Sequence, residues 1–228
     1  MIKLSKRLEA IASLVPNNSK VIDIGCDHGL VDIYLYQKGI SRKIIASDIN
    51  SNALNNAREN IKKNKLDGVI DVRLGAGMDT LNEDDDIDTI IISGMGAHTI
   101  VGILKNNLKK LTKIKTIIIQ SNTKVEFIRR EVSKLNYCID DEIIVEDNKK
   151  FYMIVRFVKG KKRYTKKELY FGPILLKKNT KLFKSYNKQE LKKLSILLKL
   201  LPKNKIIERY KIRKQIKLYR KIELDNIN

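Results

Sequence analysis

Over its first 160 residues the chain alternates short β-branched runs with stretches whose apolar residues recur at helical spacing. Lys20–Ile24, Arg42–Ser47, Gly68–Leu74, Asp88–Ser93 and Lys115–Gln120 read as strands. Helical stretches separate most of them: about Leu30–Lys38, the Leu54, Ala57, Ile61 face after an Asn50-Ser51-Asn52 cap, Thr99–Leu111, and Lys124–Leu135. Strand–helix–strand alternation predicts a parallel sheet with helices on both faces. Two strands then follow without a helix between them, Cys138–Glu146 and Phe151–Val158, joined by Asp147-Asn148-Lys149-Lys150. They predict an antiparallel hairpin closing the sheet. The expected fold is therefore α/β: a Rossmann-like, doubly wound sheet with a terminal antiparallel hairpin.

After Lys159-Gly160 the pattern changes, which divides the chain into expected domains 1–160 and 161–228. Phe171-Gly172-Pro173 reads as a turn, about Ile174–Leu201 as one long helix, Pro202-Lys203-Asn204 as a break, and Ile206–Leu224 as a second helix. This predicts a coiled-coil-like helical hairpin. Its apolar stripe is irregular: Leu182, Phe183, Tyr186, Leu194, Leu197 and Leu201, then Ile206, Tyr210, Ile216 and Ile222. Charge is distributed as unevenly as pattern. Residues 161–228 hold 22 Lys and Arg against 5 Asp and Glu, whereas residues 1–160 hold 25 against 21. Lysines on an exposed helix are ordinarily a solvated face, but here almost no acid interrupts them, which favours an anionic polymer as partner. Lys192, Lys193, Arg213 and Lys214 are candidate RNA contacts; a membrane surface is the rival partner. No apolar run reaches the roughly 18 residues of a membrane span. The N-terminal segment lacks the apolar core of a secretion signal, and Cys26 and Cys138 lie far apart, so a cytoplasmic protein without disulfides is expected.

The most informative motif is Val21-Ile22-Asp23-Ile24-Gly25-Cys26-Asp27-His28-Gly29-Leu30: an apolar strand, a glycine-bearing loop and a helix start. A nicotinamide site would have glycine at the second position of G-x-G-x-x-G, beneath a pyrophosphate. Asp27 stands there instead. A carboxylate repels pyrophosphate and suits the sulfonium and ammonium of S-adenosylmethionine. Asp48, about 20 residues on and followed by Ile49, ends the second strand, where it can accept the ribose hydroxyls or cap the next helix. Gly75-Ala76-Gly77-Met78 after the third strand suits the border of an adenine, and Ser93-Gly94-Met95-Gly96 after the fourth lies where cofactor and substrate meet; both also fit plain turns. The cofactor set is thus Asp23, Gly25, Cys26, Asp27, Asp48, Ile49, Gly75, Ala76, Gly77, Ser93, Gly94 and Met95, with Cys26 a small packing residue. Two histidines and two cysteines make no metal set, and no Walker phosphate loop, Asn-Pro-Pro-Tyr or Pro-Cys pair occurs.

With these residues the chain resembles a bacterial family, the tRNA (adenine-N1) methyltransferases acting on position 22 of the D-arm. Asp23-Ile24-Gly25-Cys26-Asp27-His28-Gly29, Ser93-Gly94-Met95-Gly96, Gln120-Ser121-Asn122 and the Phe171-Gly172-Pro173 turn before a helical hairpin carry the likeness, which spans nearly the whole chain. Ala76, Ala97 and Ser121 depart from the family pattern. The resemblance implies direct methyl transfer from S-adenosylmethionine to N1 of a flipped adenine, with no metal. It assigns Asp27 to orienting the base or receiving charge, and leaves His28 either assisting or packing. It further implies a monomer that binds tRNA and neither DNA nor membrane. Methylation of ribosomal RNA or of another tRNA position is the alternative within the class; a non-enzymatic RNA-binding module is the alternative outside it.

Overall fold

The computed structural model describes residues 2–225; residue 1 and residues 226–228, the outer ends of the two expected domains, lie outside them. In chain order the elements are α1 (Lys6–Ser13), β1 (Lys20–Ile24), α2 (Leu30–Gln37), β2 (Lys43–Asp48), α3 (Ser51–Lys63), β3 (Ile70–Leu74), β4 (Thr89–Met95), α4 (Ala97–Lys105), α5 (Leu108–Leu111), β5 (Thr116–Ser121), α6 (Val125–Ser133), β6 (Tyr137–Asp147), β7 (Lys150–Lys159), α7 (Lys166–Phe171), α8 (Pro173–Lys178), α9 (Lys181–Leu200) and α10 (Ile206–Asp225). One sheet of seven strands runs β3-β2-β1-β4-β5-β7-β6. The first five strands are parallel, and β7 pairs antiparallel with β5 and with β6. The expected doubly wound sheet with its closing hairpin is what the chain forms.

The continuous apolar runs explain why β4 and β5 sit in the middle. Ile90, Ile91 and Ile92 of β4, and Ile117, Ile118 and Ile119 of β5, are all buried. Side chains alternate across a strand. Accordingly Ile90, Ile92, Ile117 and Ile119 join one core with α4 and α6, while Ile91 and Ile118 join the other with α1, α2 and α3. Two-sided burial favours β-branched residues, and each buried isoleucine contributes on the order of 2 kcal/mol.

Three boundaries differ from the sequence reading. The stretch Thr99–Leu111 is two helices, α4 and α5, separated at Asn106-Asn107. The long helix expected over Ile174–Leu201 breaks at Asn179, which takes φ 42°, and restarts from Thr180, whose hydroxyl accepts from the Phe183 amide. An asparagine in left-handed conformation and a threonine cap are the chemistry that ends one helix and starts the next. Third, the compact units divide between Ile174 and Leu175 rather than at Gly160. Residues 161–174 stay with the sheet because fully buried Arg129 donates to Leu169 O (3.2 Å), to Tyr170 O (3.0 Å) and to Glu142 Oε1 (2.6 Å), while Tyr164 Oη accepts from the Ile139 amide (2.7 Å). Helix α1, absent from the sequence reading, is capped by Ser5 and buries Ala10, Ile11 and Ala12.

In the second unit α9 and α10 pack together around the Leu201–Lys205 connection, and Arg209 Nη1 donates to the carbonyls of Leu198 (3.0 Å) and Leu201 (2.5 Å). The expected helical hairpin is present. Over residues 206–222 the buried positions of α10 are Ile212, Ile216, Tyr219 and Ile222, whereas Ile206 and Tyr210, placed on the apolar stripe by sequence, are exposed.

Candidate active site

The strand order reverses between β1 and β4. The chain winds outward through β2 and β3, then returns to the other side of β1. Ligands of open α/β sheets bind at the carboxyl ends of the strands at such a point. Here a cavity of about 540 Å³ opens, within the range of small-molecule sites. Asp23, Gly25, Cys26, Asp27 and His28 line it from β1 and its loop, Asp48 from β2, and Ser93, Gly94 and Met95 from β4.

The loop after β1 is held by backbone hydrogen bonds. The amides of Gly25 and Cys26 both donate to Ser47 O (2.8 and 3.0 Å), and the Gly29 amide to Cys26 O (2.9 Å). Gly25 takes φ 78°, a left-handed conformation that favours glycine, and the flexible end of Met95 from the β4 loop lies against it. Asp27 takes φ 52°, a left-handed conformation that aspartate tolerates better than most residues. Its amide donates to Asp48 Oδ2 (3.3 Å), and the Asn50 amide donates to Asp48 Oδ1 (2.9 Å). Asp48 is thereby fixed to the Asp27 loop and to Asn50, and it is Asn50, accepting from the Asn52 and Ala53 amides, that caps α3 in place of the cap role the sequence left open for Asp48. His28 Nε2 lies 3.6 Å from Asp27 Oδ1, and both side chains are largely exposed.

Beneath the loop the carboxyls are buried. Asp23 is 3% exposed and its Oδ1 has no hydrogen-bond partner; Asp32 of α2 is fully buried and neither of its oxygens has one. Burial, then the charge of Asp48, push the Asp23 carboxyl up to about 7. Burial and the neighbouring Asp23 likewise push Asp32 well above the usual carboxylate range. Burial and the surrounding aspartates push the Cys26 thiol far up, which fits a packing role rather than a nucleophile.

A β-bulge shapes the opposite wall. Register between β4 and β5 shifts between Ser93 and Met95, leaving Gly94, at φ 77°, as the extra residue. Bulges of this kind re-aim side chains beside active sites. Fully buried Gln120 accepts from the Gly94 amide (3.1 Å) and from Arg7 Nη1 (3.0 Å), while Asn122 Nδ2 donates to Gly94 O (2.6 Å).

Of the cofactor residues named from sequence, Ile49, Gly75, Ala76 and Gly77 do not line this cavity. Ile49 is 74% exposed, although the Gly75 amide donates to Asp48 O (3.0 Å) and so keeps the β3 loop beside the site. Arg7, Leu8, Val31 and Ala53, which no sequence motif marks, line the cavity as well, together with Leu30, the last residue of the glycine-loop motif, and Asn50, the cap of α3. Nothing local in sequence marks Arg7, whose site partner Gln120 is 113 residues away. In the second unit Lys192, Lys193, Arg213 and Lys214 are all exposed, and Lys193 pairs with Glu190 (2.7 Å). Among the described residues no group of three His, Cys, Asp or Glu side chains is placed to hold a metal ion, and no helix is long and apolar enough to cross a membrane.

The residues fit S-adenosylmethionine. Three acids surround the cavity, one with a buried oxygen lacking a partner, and the ligand carries a sulfonium and an ammonium. Comparison with known proteins agrees. The profile of the family described as "tRNA (adenine(22)-N(1))-methyltransferase" matches residues 21–222. The Bacillus subtilis enzyme of that name is 33% identical over 154 residues, covering 68% of this chain and 64% of its own length. A Mycoplasma capricolum TrmK structure in complex with S-adenosyl-homocysteine superposes with a TM-score of 0.86 at 32% identity, covering 96% of this chain and 98% of that one. A Streptococcus pneumoniae protein assigned as a tRNA (m1A22) methyltransferase, in complex with S-adenosyl-L-methionine, gives 0.89 at 29% identity, covering 96% and 99%.

Proposed function

The chain belongs to the tRNA (adenine(22)-N(1))-methyltransferase family, and from that premise we propose that it methylates N1 of adenine 22 in the D-arm of bacterial tRNA. When bound, S-adenosylmethionine supplies an electrophilic methyl group on sulfur. Adenine N1 carries a free lone pair, so no residue has to remove a proton before the transfer. The N1–C bond forms as the C–S bond breaks, and the positive charge passes from sulfur to the methylated adenine. The work left to the protein is alignment and electrostatics.

Asp48 holds the ribose hydroxyls and Gly25 lets the cofactor approach the backbone. Asp27, whose amide is tied to Asp48 Oδ2, orients the base and faces the charge as it arrives on the ring. His28, 3.6 Å from Asp27, steadies that carboxylate. Ser93 and Gly94 leave room for a flat base, which must be turned out of the D-arm at a cost of a few kcal/mol. Helices α9 and α10, with Lys192, Arg213 and Lys214 exposed, grip the RNA backbone. We place the enzyme in the cytoplasm as a monomer, with tRNA rather than DNA or membrane as its partner.

The observation that carries this reading is the tie between the Asp27 amide and Asp48 Oδ2 across the mouth of a cavity at the sheet's switch point. Its test is incubation of unmodified tRNA with the protein and methyl-labelled S-adenosylmethionine, followed by mapping of reverse-transcription stops. Label incorporation with a new stop at position 22 is expected. Incorporation at another position keeps the class and overturns the target; none at all overturns both.

A further inference from the structure

The cavity contains one side chain that is always cationic. Its lining otherwise brings together Asp23, Asp27 and Asp48, with His28 at the opening; the exception is Arg7 of α1. The amino-acid end of S-adenosylmethionine carries an ammonium and a carboxylate. A carboxylate brought among three acids is strongly disfavoured unless it meets a cation. Arg7 is built to be that cation. Its Nη1 donates to Gln120 Oε1 (3.0 Å), its guanidinium lies over the Tyr152 ring at 5.4 Å, and its backbone amide donates to Asp147 Oδ2 (3.2 Å). Gln120 is itself immobilised: it is fully buried, its Oε1 also accepts from the Gly94 amide, and its Nε2 donates to Asn122 Oδ1 (3.1 Å). The guanidinium thus spends one of its five N–H groups on being positioned. Among the described residues the others have no hydrogen-bond partner. A pre-oriented guanidinium fork matches a carboxylate in two parallel hydrogen bonds and loses little entropy on binding. Gly94 at the bulge takes φ 77°, a backbone conformation that favours glycine, and its Cα lies beside Arg7 Nη1, which a Cβ would meet in ordinary contact at 3.7 Å.

Resting on the reading of this cavity as a cofactor site, we propose that Arg7 binds the α-carboxylate of S-adenosylmethionine, with Gln120 and Tyr152 as the residues that position it.

The ligand can be altered instead of the protein. Decarboxylated S-adenosylmethionine keeps the adenosine, sulfonium and amine and lacks only the carboxylate. Calorimetry on the full-length protein measures both ligands against wild type, Arg7→Met and Arg7→Lys. Wild type should bind S-adenosylmethionine about tenfold to a hundredfold more tightly than the decarboxylated ligand, the scale of a charged hydrogen-bonded pair. In Arg7→Met that ratio should fall close to one, through loss of affinity for S-adenosylmethionine alone, and Arg7→Lys should recover part of it. A wild-type ratio near one overturns the proposal without any variant, so a variant that fails to fold does not protect it. A ratio preserved in Arg7→Met also overturns it; if the KM for tRNA rises at the same time, Arg7 serves a backbone phosphate instead. Wild type that binds neither ligand overturns the cofactor reading itself.

Discussion

Asp23 offers a measurement in which stability and function pull against each other. Its carboxyl is buried, one oxygen lacks a partner, and burial with the Asp48 charge raises it from 3.8 to about 7. A shift of that size corresponds to roughly 4 kcal/mol held against the ionised folded form. Because the folded value lies above the unfolded one, the folded protein keeps this proton at pH values where the unfolded chain has lost it. The stabilising contribution is complete below about pH 4 and is lost as pH rises to about 7. Between pH 5 and pH 8 the loss comes to roughly 2–3 kcal/mol, an upper figure because water entry and relaxation soften it. Asp23→Asn removes this carboxyl's titration, leaves that of buried Asp32, and keeps a similar shape. Urea unfolding of ligand-free wild type and Asp23→Asn should therefore diverge as pH rises, with the variant gaining on wild type by up to that amount. The cofactor should show the converse. It is a cation, so its affinity for wild type should rise as pH climbs toward 7 and Asp23 loses its proton, and Asp23→Asn should bind it more weakly with a flatter pH dependence. Parallel pH–stability curves for the two proteins, within about 0.5 kcal/mol, would refute the claim that a buried proton sits at this site.

Three further outcomes are expected. Asp27→Asn keeps the left-handed backbone at φ 52° and the tie of its amide to Asp48 while removing the charge; single-turnover methylation should slow by at least tenfold with circular dichroism unchanged, and near-normal turnover removes the carboxylate from the mechanism. Asp48→Ala should weaken S-adenosylmethionine about tenfold to a hundredfold by calorimetry, since it deletes charged hydrogen bonds to the ligand, and an unchanged Kd would remove Asp48 from the site. Reversing Lys192, Arg213, Lys214 and Lys217, which is also exposed on α10, to Glu should lower tRNA affinity and flatten its salt dependence while leaving cofactor affinity intact; an unchanged salt slope would remove the hairpin from RNA binding.

What could be read in the sequence was what repeats or sits beside itself in the chain. Apolar triplets such as Ile90-Ile91-Ile92 mark a strand buried on both faces wherever they occur, and strands in alternation with helices leave few topologies. The Gly25–Gly29 loop was legible for the same reason: its geometry is decided within five residues, and Asp27 at a position where a pyrophosphate site demands glycine carries chemical meaning by itself. Helix breaks were less visible. Asn106-Asn107 and Asn179-Thr180 end and restart helices within a periodicity that runs through them, because asparagine and threonine serve equally as solvated helix residues and as caps. The boundary near residue 160 moved to 174 because a buried arginine in α6 reaches carbonyls 40 and 41 residues later, and no local pattern records that reach.

Arg7 makes the same point at the site itself. In sequence it is one cation among 47 Lys and Arg. Only the sheet order, which sets β5 beside β4 and brings α1 onto β5 and β7, joins it to Gln120, Gly94 and Tyr152. The acids of the cavity come from the carboxyl ends of β1 and β2 and from the loop after β1, so they announce themselves by position. The balancing cation comes from a helix that precedes the first strand, where position predicts nothing. A zwitterionic ligand end needs both signs. The half of its recognition that opposes the ammonium is therefore local and readable, and the half that opposes the carboxylate is tertiary. It follows that replacing Tyr152 or Gln120, which are distant from the glycine loop in sequence, should lower the calorimetric preference for S-adenosylmethionine over its decarboxylated form while leaving the contact proposed between Asp48 and the ribose in place.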